Sequence, residues 1–318
     1  MKQTNFAKIL VVCATLVVSL SAQQEPSRQS AFERRPFQKS SYLIRQPVEK
    51  SFRADEKGND IDVKARVVEV DKKTGKYEFR WLGVDGKEKI VEYQRHDSID
   101  AIVRAEVEAA ADGKYIYSYD FRVLPESPTF LSAFTVQTFA NDIEPVKLDK
   151  KLFIFGSMKF NPMFNVGVWW DWGFIGDEKK RIQAGDSAKF KLVSLSPPGI
   201  VDCKVTGGAL GTKGVGEDIP GPLEDQIPIF QDLAWGYTIA PDKRLLKFSE
   251  KEKIEYLLEN LPKIRKAGWI SDETEQWYQQ ILKNSDLDRL FEIAKRDLEE
   301  RHIANEVFHI IDGLRSRR

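Results

Sequence analysis

The stretch GVWWDWGFIGD, residues 167 to 177, places three tryptophans within four positions. If it forms a strand, successive side chains alternate between two faces. One face would carry the apolar set Val168, Trp170, Trp172 and Phe174, which predicts a core. The other would carry Trp169 and Asp171 between glycines. An exposed indole stacks on the flat face of a sugar ring while a neighbouring carboxylate accepts its hydroxyl hydrogens. Trp169 and Asp171 are therefore the candidate ligand-binding residues, and the alternative is that Trp169 packs beneath another segment.

The histidines offer a second kind of chemistry. His302 and His309 are seven residues apart near the C-terminus, with Glu306 between them. This spacing lacks the third ligand and supporting acid of a zinc motif, so we expect a solvated helical face and no metal. His96 is followed by Asp97 but has no identifiable nucleophile as a partner.

The sequence matches no other common catalytic motif. The glycine-rich stretch GGALGTKGVG, residues 207 to 216, departs from a phosphate-binding loop, because glycine and not serine or threonine follows Lys213. The sequence contains no Gly-x-Ser-x-Gly elbow and no Cys–His arrangement. The acids Glu217, Asp218, Glu224 and Asp225 fall in a predicted solvated loop, where a carboxyl group is poorly placed for general-acid work. We therefore predict no catalytic residue and no cofactor.

Alternating hydrophobicity predicts strands for the segments that must position these residues. From residue 61 the stretches IDVKARVVEV, KYEFRWL, KEKIVEY, IVRAEVEAA and KYIYSYDFRV alternate apolar and polar residues around short turns. Further strands are predicted at 129–139, 150–156, 165–175, 187–195 and 200–206. Short strands at about ten-residue spacing favour an Ig-like or jelly-roll-like β-sandwich over residues 60–206. Residues 99–110 also permit a helix.

The last 71 residues, 248–318, predict a small helical bundle. Ser249 and Glu252 form a capping box, Ser271 and Ser285 are candidate caps, and Pro262 should kink or shorten the first helix. The apolar stripes of these helices can bury one another, so a chain ending near Asp242 should stay folded. Residues 207–247 are dense in glycine and proline and are predicted to be a connector.

The N-terminus has the three parts of a secretory signal. Lys2 and Lys8 precede an apolar run from Ile9 to Val18, and small residues follow up to Ala22. We expect residues 1–22 to be removed and the protein to be secreted or to reside in the periplasm or cell envelope, with no stable membrane span after processing. A retained N-terminal anchor is the alternative. The polar, proline-containing residues 23–59 predict a disordered tether.

Composition excludes one class of partner. The chain of 318 residues has 49 Lys and Arg against 49 Asp and Glu, so its formal net charge is zero. A nucleic-acid-binding protein would need a basic excess, so we expect no such partner. Only Cys203 lies beyond the signal, which leaves no internal disulfide, and stability must come from burial.

One stretch carries a resemblance. AGDSAKFKLVSLSPPGIVDCKVTGG resembles the closing hairpin of uncharacterised secreted bacterial β-sandwich proteins, and YIYSYDFRV and FNVGVWWDWGF fit their strand pattern over about residues 60 to 215. The tail is similar to small helical modules appended to such proteins. The resemblance implies fold and export only.

The sequence thus favours an exported, non-enzymatic binding or scaffolding protein with a glycan or protein partner in the cell envelope. Two alternatives stay open. One is a carbohydrate-active enzyme with an unidentified acid pair, and the other is a structural component of the envelope. A cleft lined with paired acids would favour the enzyme, whereas a flat patch around Trp169 would favour binding.

Overall fold

A computed structural model describes residues 32–39, 52–54, 60–62, 64–146, 153–155, 167–171, 182–208, 219–227, 232–284 and 286–315. For 52–54, 60–62, 153–155 and 167–171 it describes the backbone alone. The predicted signal segment, residues 1–22, lies outside these ranges.

The described chain is mainly β, with helices at its C-terminal end. The strands are β1 Phe52–Ala54, β2 Asp60–Asp62, β3 Ala65–Asp71, β4 Lys76–Leu82, β5 Glu88–Gln94, β6 Ala101–Ala109, β7 Tyr115–Val123, β8 Leu131–Gln137, β9 Glu144–Val146, β10 Phe153–Phe155, β11 Gly167–Asp171, β12 Ser187–Ser194, β13 Pro198–Gly207 and β14 Ala234–Pro241. All their pairings are antiparallel. Residues 101–109 form a strand, so the alternation there outweighed the helical alternative.

Two sheets share the main hydrophobic core. One has the order β10-β11-β8-β13-β14 and the other β6-β7-β12-β9. Phe134 of β8 lies with its ring centroid 5.2 Å from that of Phe121 in β7 and 5.4 Å from that of Phe190 in β12. All three side chains are fully buried, so the two sheets meet through interlocking aromatic rings.

The strands β3-β4-β5 form a separate sheet with its own small core. One face of it buries Phe79, Trp81 and Val91 against Leu223 and Ile227. These last two residues belong to the segment around the short helix α1, Gly221–Glu224. The first hairpin predicted from the sequence is therefore present, but in a sheet apart from the two larger ones.

The C-terminal helices begin close to their predicted caps. They are α2 Glu250–Lys266, α3 Asp272–Lys283, α4 Leu287–Glu299 and α5 Asn305–Leu314. The Ser249–Glu252 capping box and the Ser271 cap are both present, which confirms these two predictions. The cap of α4 is Asp286, whose side chain accepts the Arg289 N–H at 2.8 Å, so the assignment of this cap to Ser285 was wrong.

Pro262, predicted to kink or shorten the first C-terminal helix, lies inside α2 and does not shorten it. The helix continues to Lys266, because Leu261 and Ile264 on either side of the proline are each 1% exposed and anchor its last turn in the core. Tertiary packing here outweighs the lost backbone hydrogen bond.

The helices belong to the same core as the two large sheets. Buried residues of all four helices form one continuous cluster with the strands. The Tyr256 hydroxyl accepts the Ile200 N–H at 2.9 Å, and a Cβ on Gly313 would lie 2.7 Å from Pro198 Cδ. This continuity argues against a helical module that folds apart from the sheets.

Part of the predicted tether is folded onto the protein. Within residues 23–59, Phe37 is 7% exposed and its ring lies 5.8 Å from that of Phe121. The Phe37 N–H donates to the Ala101 carbonyl at 3.0 Å. The tether prediction is wrong for residues 32–39, because one buried aromatic residue and non-local backbone bonds hold a stretch that has no apolar period.

The predicted connector, residues 207–247, also contains regular structure. It includes α1 and the eight-residue strand β14, which completes the five-stranded sheet beside β13. Among the described residues, no helix is both long and apolar enough to cross a bilayer.

Candidate functional site

The strand that carries the tryptophan cluster lies within the five-stranded sheet. In the backbone register, Trp170 of β11 is opposite Phe134 of β8, and Trp169 is opposite Thr135. Asp171 is opposite Ala133. The side chains of Trp169 and Asp171 lie outside the described atoms, so their assignment to a ligand site stays a prediction.

The same register leads from Trp169 to a second tryptophan. Thr135 is opposite Lys204 of β13, and Lys204 is opposite Trp235 of β14. Trp169, Thr135, Lys204 and Trp235 thus form one cross-strand row, which we call the Trp169–Trp235 row. Neighbouring strands are about 4.8 Å apart, so the backbones at its two ends are separated by about 14 Å.

Trp235 is half-buried and has two close partners. Its ring centroid lies 5.8 Å from that of Tyr237 in an edge-to-face arrangement, and the Lys266 Nζ lies 4.3 Å above the ring. The second contact is a cation–π interaction. Burial, reinforced by nearby Asp202, raises the pKa of Tyr237, so its hydroxyl stays neutral and can serve as a hydrogen-bond donor.

A shallow cavity opens beside Trp235 at the edge of β14. Gln38 pairs with Trp235 there through two backbone hydrogen bonds of 2.7 and 2.8 Å. The cavity is lined by Arg34, Arg35, Pro36, Phe37, Gln38, Val103, Trp235, Gly236, Tyr237, Lys266, Ala267 and Trp269. Its volume of about 20 Å³ suffices for about one water molecule, so a larger ligand would have to lie across its mouth. Among the described residues, no carboxylate lines it.

A buried ion pair holds in place the segment from Arg34 to Gln38, which forms one wall of this cavity. The Arg34 guanidinium donates two hydrogen bonds of 2.6 Å to the carboxylate of Glu306 in α5. Glu306 is fully buried and also accepts the Ala105 N–H of β6 at 2.7 Å. The Arg34 guanidinium is therefore occupied by its bond to Glu306. Arg35, in contrast, has an exposed side chain and makes no ion pair within the described residues.

His96 has a different partner from the one its sequence neighbour suggests. Asp97 is bound by Arg95 at 2.7 and 2.8 Å, while His96 Nδ1 lies 3.1 Å from Asp232. The Asp232 carboxylate also accepts the Tyr93 hydroxyl at 2.5 Å and the His96 N–H at 2.9 Å. An imidazole oriented by a carboxylate could act as a base. However, His96 is 3% and Asp232 0% exposed, so a substrate could not reach the pair without local opening.

The two C-terminal histidines do not converge on Glu306. His309 Nε2 lies 3.2 Å from Glu106 of β6, whereas His302 lies in the α4–α5 connection, 3.3 Å from Glu300. Asp297, Glu300 and His302 each place one possible metal-ligand atom within 4.8 Å of the others. The Asp297 carboxylate already accepts the Tyr278 hydroxyl at 2.8 Å, which gives the buried acid a structural role.

Of the four acids predicted to lie in a solvated loop, the structure describes two. Glu224 and Asp225 are exposed at α1, in keeping with the expectation that water surrounds them. Glu217 and Asp218 lie outside the described residues, as does most of the glycine-rich stretch 207–216.

Sequence reasoning missed Trp235, Tyr237 and Lys266 as neighbours. The signal for the first two was present, because AWGYTIAP alternates small residues with Trp235, Tyr237 and Ile239. The glycine and proline density before this stretch concealed it. Lys266 could not have been found, since it reaches Trp235 only through the packing of α2.

Comparisons with known proteins give little. No protein-family model matches the sequence, and no curated protein matches it. One matching solved structure is an uncharacterised protein from Nocardia farcinica described as having an immunoglobulin-like fold. It is 16% identical over 33% of this chain and 77% of its own, with a TM-score of 0.25, which is too low to support an argument about fold or function.

Proposed function

We propose that this is an exported, non-enzymatic binding or scaffolding protein that binds a carbohydrate of the cell envelope or its surroundings. In this proposal the two large sheets form an Ig-like or jelly-roll-like β-sandwich, and the C-terminal helices form a bundle that packs against it. The signal-like N-terminus supports export, since Lys2, Lys8 and the following apolar run fit a secretory signal.

The observation that carries the proposal is the aromatic side chain of Trp235 on the Trp169–Trp235 row. A half-buried indole in an edge strand offers a flat apolar surface at the boundary with water. Tyr237 adds a second ring and a hydroxyl two residues further along the strand. Trp169, at the other end of the row, would extend this surface across four strands if its side chain shares the face of Thr135.

The charge around the cavity favours binding over catalysis. A glycosidase needs two carboxyl groups on either side of the scissile bond. The described lining of the cavity beside Trp235 has arginine and lysine side chains and no carboxylate. The enzyme alternative therefore gains no support from this site, and the role as a structural envelope component has no observation in its favour.

A glycan-array screen tests the proposal. The chain from Gln23 should bind a subset of glycans, and Trp235→Ala should weaken that binding while leaving the circular dichroism spectrum unchanged. Leu246→Ala is a suitable control, because Leu246 is 65% exposed and lies away from the cavity lining. Absence of any glycan binding, or equal binding by Trp235→Ala, would contradict the proposal.

A further inference from the structure

The surface around Trp235 carries more positive charge than the neutral chain as a whole. Arg35 and Lys266 both line the cavity, and Lys204 is opposite Trp235 on the exposed side of β13. Arg35 and Lys266 have no carboxylate partner among the described residues. The carboxylate closest in the strand register is Asp202, which is opposite Tyr237.

We propose that the Trp235 surface binds an acidic polysaccharide, with the sugar ring stacked on Trp235 and its carboxylate held by Arg35 and Lys266. This inference rests on the proposed function and narrows it to one substrate class. Two cations without a carboxylate partner among the described residues, beside a half-buried aromatic ring, match a ligand that alternates flat rings with negative charges.

The geometry explains why both features are needed. Lys266 Nζ lies 4.3 Å above the Trp235 ring and covers one face of the indole. In this proposal the sugar ring stacks on the part of the indole that the ammonium leaves open, and its carboxylate reaches the ammonium from the side. Arg35 follows Arg34, whose pairing with Glu306 anchors the segment, and the Arg35 N–H donates to the Ala267 carbonyl at 3.3 Å. The backbone that presents the two cations is thus fixed in place before a ligand binds.

The shallow cavity favours an extended polymer. Its volume of about 20 Å³ cannot enclose a sugar, so affinity has to come from contacts spread across the surface. The Trp169–Trp235 row continues in the backbone register from Trp235 across three further strands. It would provide a track for successive units of a chain if the Trp169 side chain shares the face of Thr135.

The experiment compares three polymers by affinity electrophoresis and calorimetry. Polygalacturonate supplies rings with carboxylates, its fully methyl-esterified form supplies the same rings without charge, and poly-glutamate supplies carboxylates without sugar rings. We expect the chain from Gln23 to bind polygalacturonate best, and binding should weaken as salt is added because the contacts are exposed.

Variants separate the contributions of ring and charge. Lys266→Gln and Arg35→Gln should each weaken polygalacturonate binding by about fivefold, and Trp235→Ala by about tenfold or more. Trp235→Phe, which keeps a ring, should lose less than Trp235→Ala. Lys251→Gln is a matched control: Lys251 is on the same helix, its side chain is 86% exposed, and it lies about 22 Å along the helix from Lys266.

The possible failures are distinguishable. Equal binding of the esterified polymer, with no effect of the charge variants, would overturn the acidic preference and leave glycan binding in place. Equal binding of poly-glutamate, with no effect of Trp235→Ala, would show that charge alone is recognised and would overturn the inference. Binding of none of the polymers would overturn it as well, and the glycan array would then decide separately whether the proposed function survives.

Discussion

The inner and outer sides of the five-stranded sheet are built from alternate residues of the same strands. On the inner side, Phe134, Val136, Cys203 and Val205 are each at most 1% exposed. Their neighbours in sequence, Thr135 and Lys204, are half-buried and exposed. The inner side therefore supplies stability through packing, while the outer side at Thr135 and Lys204 is open enough to differ in chemistry. One pair further along, Ala133 and Thr206 are 1% and 6% exposed, so the open part of the outer side ends there.

The largest effect on stability is expected when the four C-terminal helices are removed. Because residues of all four helices belong to the same core as the inner side of the sheet, a chain ending at Asp242 should aggregate or lose its cooperative melting transition. Glu306 and Tyr256 would no longer satisfy the backbone N–H groups of Ala105 and Ile200. Circular dichroism melting of the truncated and full chains measures this. A truncated chain with a cooperative, sheet-dominated transition would restore the separable module.

A point substitution on each side measures the difference in packing. Phe134→Ala should lower the free energy of unfolding by about 3 to 5 kcal/mol, because it leaves a cavity among the rings of Phe121, Phe190 and Tyr119. Thr135→Ala, one residue away, should change it by no more than about 0.5 kcal/mol. Chemical denaturation of both variants gives the two values, and similar losses would show that the outer side is packed as well.

A chemical probe separates the two sides at β13. Cys203 is 1% exposed, and burial, with a smaller contribution from Asp202, raises the pKa of its thiol, so little reactive thiolate is available. In the chain from Gln23, it should react with a thiol reagent only when the protein opens. A cysteine introduced by Lys204→Cys in a Cys203→Ala background should react at least about a thousandfold faster. Comparable rates at the two positions would contradict the assignment of inner and outer residues.

The sequence predicted the strands well and their assignment to sheets poorly. Alternation is local, so β4, β7 and β13 could be located from their own residues. Membership of a sheet depends on contacts between distant segments. For this reason the hairpin β3–β4 was included in one sandwich with the other strands, although it lies in a separate sheet, and β14 was included in a connector. Phe37 shows the same limit, because its burial depends on β6 and β14 and not on its polar neighbours.

The sequence suggested one end of the candidate row, at Trp169, and gave no signal for the contact at its other end. The spacing of Trp169 and Asp171 was enough to propose surface residues, and both assignments stay predictions. In the register Trp169 is opposite half-buried Thr135, whereas Asp171 is opposite Ala133, which is 1% exposed. The contact of Trp235 with Lys266 joins a strand to the end of a helix 31 residues later, and no local pattern encodes it.

The smallest expected effect on stability is at Trp169, and the contrast with Trp170 makes it informative. Trp170 is opposite Phe134, whose side chain is fully buried, so Trp170→Ala should lose about 3 to 5 kcal/mol if the two residues share the inner side. Trp169 is opposite half-buried Thr135, so Trp169→Ala should stay within about 0.5 kcal/mol. Melting temperatures of the two variants, measured together, test this before any ligand is known.

If both losses are large, Trp169 packs under another segment, and the binding surface ends at Trp235. If the loss at Trp169 is small while polygalacturonate binding falls, the track of aromatic rings extends along the whole row.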